Sequence, residues 1–406
     1  MTTDGLPRAD LPDLVALAQD LDGNDPGEAG PVLHAVLDGV RDLLGMDVAF
    51  IGEITEGQRI FRHVVAPPDS AIREGGADPL EATYCQRVVD GRLPQLIVDA
   101  AEVPEAADLG VTAELPVGTH LSVPIRFSDG RVYGTFCAFS HQPVDGVRER
   151  DLGTLRLLAA LVARYLERES AVTAARAQAT SDVLEVLALG CLRMVFQPII
   201  DLRTGRPAGY EALSRFPTGR PDEWFARAAG AGLAVPLELA ALDEAARHVP
   251  CLPEGTYLAV NLSPETMCTP QFAARAERLP LDRLVLELTE QTEVTTYEVL
   301  TERVAWLRTL GGRVAVDDAG AGYAGLQRIV AITPDVLKLD AHLTRGVGDS
   351  AARQAMARAM AWFADRIGAD LVAEGVETER ELAALRGLGV DYVQGYHTGR
   401  PRAELD

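Results

Sequence analysis

Arg313-Val314-Ala315-Val316-Asp317-Asp318-Ala319-Gly320-Ala321-Gly322-Tyr323 sets a β-prone apolar run against two adjacent carboxylates and a glycine-rich turn. This is the profile of a buried parallel strand whose C-terminal mouth handles cations, because neighbouring aspartates repel unless positive charge lies between them. Taken alone, an Asp-Asp pair reads as a solvated strand-to-helix loop, since surface aspartate is common. The surrounding pattern decides between the two.

Outward from this stretch, strands and helices alternate from Met194 onward. Strand-like runs fall at 194–200, 209–213, 257–261, 284–288, 313–317, 336–339, 370–373 and 392–394, and helical periodicities at 237–248, 297–310, 351–367 and 379–386 separate most of them. Eight strands in about 210 residues predict a (β/α)8 TIM-barrel-like fold, whose catalytic groups come from the C-terminal ends of the strands. Those ends carry Glu211, Asn261, Glu287, Asp317 with Asp318, Lys338, Glu374 and Gln394. A set so rich in carboxylate and amide oxygens suits hard divalent cations. Two such ions a few ångströms apart can clamp the attacking and leaving oxygens of a phosphodiester displacement, with Asp317 as the expected bridge.

Of the 38 basic residues, Lys338 is the single lysine. Arginine holds its proton in proteins whereas a desolvated lysine can release it. Lys338 is therefore expected to orient or deprotonate an attacking water, or to neutralise developing charge. The 406 residues, 47% hydrophobic and 24% charged, suit a multidomain globular chain. A net charge of -22 argues against binding a nucleic-acid polymer, although divalent ions can still bring a phosphate ligand to an acidic protein. Five scattered cysteines in no metal-ligand spacing, and a Met1 end without an apolar leader, point to a reducing cytoplasm. No apolar run is long enough to suggest membrane attachment.

The first part of the chain reads differently. After an N-terminal arm over 1–27, with a short helix at 11–21, the pattern gives a helix at 31–44, strands at 48–54 and 59–65 and a helix at 83–89. A hairpin then pairs 119–125 with 132–139 across Ser128-Asp129-Gly130. This is an α+β arrangement. A long helix over 147–187 follows, with the heptad-like seam Leu152, Leu155, Ala159, Val162 and Leu166; it can pack on its own domain or pair with a second copy. His63, His120 and His141 and the pair Cys85 and Cys137 offer cofactor-ligand atoms, but they sit in no haem, bilin or metal spacing and read as structural or surface residues.

Two resemblances follow from these residues. Gly118-Thr119-His120-Leu121-Ser122-Val123-Pro124-Ile125, with Gly134-Thr135-Phe136-Cys137, resembles the central strands of a GAF sensory domain, over 28–170. That resemblance implies a ligand-sensing role and leaves the ligand unnamed. Glu211-Ala212-Leu213-Ser214-Arg215 resembles the signature of the EAL phosphodiesterases. Gln197-Pro198, Asn261-Leu262-Ser263, Glu287-Leu288-Thr289-Glu290, Asp317-Asp318, Lys338-Leu339-Asp340, Ala373-Glu374-Gly375-Val376-Glu377-Thr378 and Gln394-Gly395-Tyr396 follow in the family order, over 180–406.

The EAL resemblance implies hydrolysis of cyclic di-GMP to linear pGpG with Mg²⁺ or Mn²⁺ in bacterial second-messenger signalling, in a GAF-regulated homodimer. By the same resemblance Glu211, Asn261, Glu287, Asp317 and Glu374 hold the first metal, and Asp317 with Asp318 reaches the second. Lys338, Glu374 and Asp317 are the implied catalytic groups. Gln197 and Arg215 contact the dinucleotide, Gln394 positions a water, and Glu290 and Glu377 support the site. The chain departs from the family after Asp318, where Ala319, Ala321 and Ala324 replace a packing phenylalanine and hydroxyls. The alternatives are a non-hydrolysing cyclic di-GMP receptor and a GAF-driven signalling interaction module.

Overall fold

The computed structural model describes Ala16 and residues 30–289, 297–319 and 329–405, without the side chains of Tyr297, Asp318 and Ala319. Glu290, the Asp318 carboxylate, the altered loop at 320–328 and, but for Ala16, the expected helix at 11–21 lie outside the described residues. The chain divides into two compact units, Met1–Ala175 and Arg176–Asp406.

In the first unit, β1 (Val48–Thr55), β2 (Gln58–Val65), β3 (Ala77–Pro79), β4 (Leu96–Ile97), β5 (His120–Arg126) and β6 (Val132–Phe139) form an antiparallel sheet in the order β3-β2-β1-β6-β5-β4. The period-2 alternation of its strands divides the core. Ala49, Ile51, Leu121, Val123, Phe136 and Ala138 pack with Leu33, Val36, Leu37 and Val40 of the helix Gly30–Leu44. Phe50, Phe61, Cys137 and Phe139 face the other way, onto Cys85 of the helix Tyr84–Val89, which Thr83 caps by accepting from the Gln86 amide. Gly134 permits the close approach of β6 to β1, because a β-carbon there would meet the Gly52 carbonyl oxygen at 1.8 Å.

The long helix runs Glu149–Leu189. Leu152, Leu155, Ala159, Val162 and Leu166 are buried in the core of the first unit, so the heptad-like seam packs on its own domain. Residues 170–178 are exposed all round, and Val183 and Val186 join the core of the second unit.

The second unit is a closed eight-stranded barrel of β7 (Arg193–Asp201), β8 (Pro207–Arg215), β9 (Tyr257–Leu262), β10 (Leu284–Leu288), β11 (Arg313–Ala319), β12 (Val336–Leu339), β13 (Asp370–Ala373) and β14 (Tyr392–Val393). It departs from the regular (β/α)8 pattern at one strand, because β7 runs antiparallel to both β8 and β14. The cause is length. Only residues 202–206 separate β7 from β8, enough for a hairpin, whereas a parallel crossover takes about a dozen residues or more.

The remaining strands are parallel and covered on both faces, which explains their near-continuous apolar runs. Leu258, Val260, Leu286, Val314, Val316, Leu337 and Leu371 point to the helical layer, while Ala259, Val285, Ala315, Val336 and Val372 fill the lumen with Ile199 and Tyr257. After β14 the chain returns to β7, where Phe196 and Arg402 exchange two backbone hydrogen bonds. No helix among the described residues is long and apolar enough to cross a membrane.

Candidate active site

The barrel register gathers the polar residues. The hairpin sets Gln197 of β7 opposite Glu211 of β8, and the parallel ladder sets Asn261 of β9 beside Glu287 of β10. Asp317 lies near the end of β11, Lys338 inside β12, Glu374 just past β13 and Gln394 just past β14. Glu211 is mid-strand rather than at a strand end, because β8 continues to Arg215.

Lys338 is the centre of the cluster and only 1% exposed. Its Nζ donates to Glu287 Oε2 at 2.7 Å and lies 2.7 Å from Glu374 Oε1, 3.5 Å from Asp317 Oδ1 and 3.7 Å from Glu211 Oε2. Four carboxylates thus surround one ammonium. Burial works against the Lys338 charge, but Asp317, Glu211, Glu287 and Glu374 outweigh it and raise its pKa well above the ordinary lysine value. Lys338 is therefore held as a cation. Of its three expected roles, charge neutralisation fits this surrounding directly.

One ammonium leaves the cluster with excess negative charge, and the carboxyls register it. Burial, with Glu211 and Asp317 nearby, pushes the Glu287 carboxyl well above the usual range despite Lys338. Burial likewise lifts Glu374 to about 7. Glu211 goes the other way: burial raises it, but Lys338 and hydrogen bonds from Gln394 and Asn261 bring it below its ordinary value.

The amides orient this centre. Asn261 Nδ2 donates to Glu211 Oε1 at 2.9 Å, leaving its carbonyl oxygen as an acceptor. Gln394 Nε2 donates to Glu211 Oε2 at 2.6 Å and to Gln197 Oε1 at 3.2 Å, while Gln197 Nε2 donates to the Gly399 carbonyl at 3.0 Å. Gln394 Oε1 is buried with no hydrogen-bond partner among the described residues, an acceptor that calls for a donor in the site. Gly395 permits this packing, since a β-carbon there would stand 2.1 Å from the Val376 carbonyl oxygen. An all-oxygen donor set with surplus negative charge and an orphaned acceptor fits hard divalent cations.

Beside the cluster a cleft of about 230 Å³ is lined by Gln197, Glu211, Glu374, Gln394, Arg345 and Tyr396, among others. Glu377 is not in the carboxylate cluster. It lies on this rim, 46% exposed, and pairs with Arg345 Nη2 at 2.9 Å. Arg345 and Tyr396 were not anticipated as site residues; both lie on loops, where strand-end reasoning gives no signal. Arg215 is part-buried and donates from Nη1 to the neighbouring Ser214 carbonyl at 2.8 Å.

Residues 180–401 match the EAL domain model and residues 31–167 the GAF domain model. An uncharacterized protein of Mycobacterium tuberculosis is 34% identical over 224 residues, covering 50% of this chain and 73% of that protein. The probable cyclic di-GMP phosphodiesterase PdeN of Escherichia coli K12 is 31% identical over 224 residues, covering 51% of this chain and 43% of PdeN. Among solved structures, the PaMucR phosphodiesterase in complex with c-di-GMP is 27% identical with a TM-score of 0.50, covering 55% of this chain and 97% of that one. The chain therefore belongs to the EAL domain family, with a GAF domain preceding the EAL barrel.

Proposed function

We propose that this protein hydrolyses cyclic di-GMP to linear pGpG in a metal-dependent reaction at the barrel mouth, under control of its GAF domain and as a homodimer. The observation that carries the reading is the convergence of Glu211, Glu287, Asp317 and Glu374 on the buried Lys338 ammonium. The names of PdeN and of the PaMucR complex supply the substrate class.

Glu211, Asn261, Glu287, Asp317 and Glu374 would hold one Mg²⁺ or Mn²⁺, and Asp317 with Asp318 a second. When bound, such ions supply Lewis-acid stabilisation to the phosphoryl oxygens. Lys338 holds the carboxylates together and offers positive charge where the phosphoryl group gains negative charge. Gln394 fixes Glu211 through its NH₂ group and, through its unpartnered oxygen, accepts a proton-bearing group such as the attacking water. Gln197 braces Gln394 and borders the cleft, and Arg215 meets a phosphate by turning its guanidinium from the Ser214 carbonyl. Glu377 supports the rim of the site through its pair with Arg345, and the supporting role of Glu290 rests on the family resemblance alone.

Purified protein incubated with cyclic di-GMP and Mg²⁺ or Mn²⁺, followed by nucleotide chromatography, is expected to yield pGpG, and Glu211→Gln to abolish it. Absence of product with either metal refutes the reading. Sedimentation of the full chain checks the homodimer.

A further inference from the structure

A second constellation lies wholly within the first unit, where the sequence showed no metal spacing. His34 sits on the helix Gly30–Leu44, His63 on β2 and Glu74 in the loop between β2 and β3. One ligand-capable atom from each lies within 4.8 Å of the other two. The scaffold behind them is fixed. The Gly75 amide donates to the Phe61 carbonyl at 2.8 Å and the Phe61 amide to the Gly76 carbonyl at 2.9 Å, which ties the Glu74 loop to β2. The Val64 amide donates to Glu74 Oε1 at 3.0 Å, and the two imidazole rings meet edge to face at 5.6 Å.

The hydrogen-bonding of His34 points to a cation. Its Nδ1 lies 2.8 Å from the Gly30 carbonyl oxygen, which can only accept, so Nδ1 carries a proton. In a neutral ring the lone pair is then on Nε2, and Nε2 lies 2.8 Å from Glu74 Oε1, another acceptor. Two acceptors at that distance need a positive species between or beside them, either a second proton or a metal ion. A backbone carbonyl holding one ring nitrogen so that the other faces outward is also how metal-binding histidines are oriented.

We infer that His34, His63 and Glu74 form a binding site for one divalent transition-metal ion of the zinc type. Two imidazole nitrogens and one carboxylate oxygen suit Zn²⁺, Co²⁺ or Ni²⁺ better than Mg²⁺, which favours all-oxygen shells. Three protein ligands leave a fourth position for water or a small ligand. Ligands at about 2.0–2.1 Å in a tetrahedral site stand roughly 3.3 Å apart, so no pair has to close by more than about 1.5 Å. The side chains of His34 and Glu74, 41% and 46% exposed, have room for that movement. The set differs in chemistry from the oxygen-only cluster of the barrel, and the inference does not depend on the proposed phosphodiesterase activity.

The test uses the full chain, stripped by chelation, re-equilibrated with Zn²⁺ in millimolar Mg²⁺, desalted and assayed for zinc by mass spectrometry. His34→Gln, His63→Gln and Glu74→Gln are each expected to carry one zinc equivalent per chain fewer than wild type, while His141→Gln matches wild type. Co²⁺ is expected to give the wild type a visible band of tetrahedral character that the three variants lack. Glu74→Gln keeps an acceptor for the Val64 amide, so its metal-free melting curve should match wild type and separate ligand loss from unfolding. Zinc contents equal to wild type in the three variants, or no zinc retained by wild type, overturn the site.

Discussion

Replacing Lys338 with methionine keeps an unbranched side chain, one atom shorter, and removes the charge that four carboxylates share. Removing one partner from a buried ion pair costs about 3–5 kcal/mol. A second route gives a similar figure: without the ammonium, one further glutamate must stay neutral, which at pH 7 costs about 3.7 kcal/mol against its ordinary pKa. At pH 5 the same protonation costs only about 1 kcal/mol. The sign follows from linkage. In the variant a carboxyl has a folded-state pKa above its unfolded value, so its penalty is present at neutral pH and fades as pH falls towards the unfolded value. Lys338→Met is therefore expected to lose about 3–4 kcal/mol at pH 7, a drop of roughly 6–16 °C in melting temperature for a domain of this size, and to approach wild type at pH 5.

The assay has a built-in reporter. Trp224, Trp306 and Trp362 are the only tryptophans and all belong to the second unit, so intrinsic fluorescence follows barrel unfolding. Measurements in chelator keep divalent ions from substituting for the lost charge. A variant as stable as wild type at pH 7, or one whose deficit is the same at pH 5, refutes the account of Lys338 as the cation that holds the carboxylates together.

Gln394→Leu removes the donor to Glu211 and is expected to lower turnover or metal affinity roughly 10–100-fold, the usual cost of losing a group that orients a metal ligand; activity assays and metal titration check it. Gly395→Ala drives a methyl into the Val376 carbonyl and should also reduce turnover, with little change in the circular dichroism spectrum. Gly134→Ala drives one into the Gly52 carbonyl and is expected to cost the first unit more than about 2 kcal/mol, read as faster amide exchange in β1 and β6 with tryptophan fluorescence unchanged. Leu286→Ala opens a cavity beneath the helical layer and should cost the barrel about 2–5 kcal/mol, measured by urea unfolding.

The barrel was legible because strands covered on both faces keep a distinctive composition, as in Leu284 to Leu288, and because polar oxygens recur at their mouths. The direction of β7 was also readable from the short gap before β8, but counting strands without weighing connection length conceals it. The seam from Leu152 to Leu166 was ambiguous because a core-facing helix and a coiled coil share nearly the same period. Lys338 stood out by composition, yet its charge state depends on four carboxylates from four other strands, which no local pattern reports. His34, His63 and Glu74 gave no signal at all, since a helix, a strand and a loop bring them together at unrelated separations. Arg345 and Tyr396 were missed for a similar reason.

The reversed strand has a consequence for the order in which the molecule assembles. β7 is made first in the barrel, yet both its partner across the closing seam and the acceptor for Gln197 are made last: Gln197 bonds to Gln394 and Gly399 across separations of 197 and 202 residues. Closing a loop of that length costs about 5 kcal/mol in chain entropy before any contact repays it. The Gln394 and Gln197 part of the amide network around Glu211 therefore cannot form on a nascent chain until residues 392–402 have been synthesised. A partly made barrel can pair β8 with β9 and set Asn261 against Glu211 Oε1, but it lacks the Gln394 donor to Glu211 Oε2. The same seam that seals the barrel thus acts in time as an interlock, withholding a finished catalytic centre from any chain that has not closed.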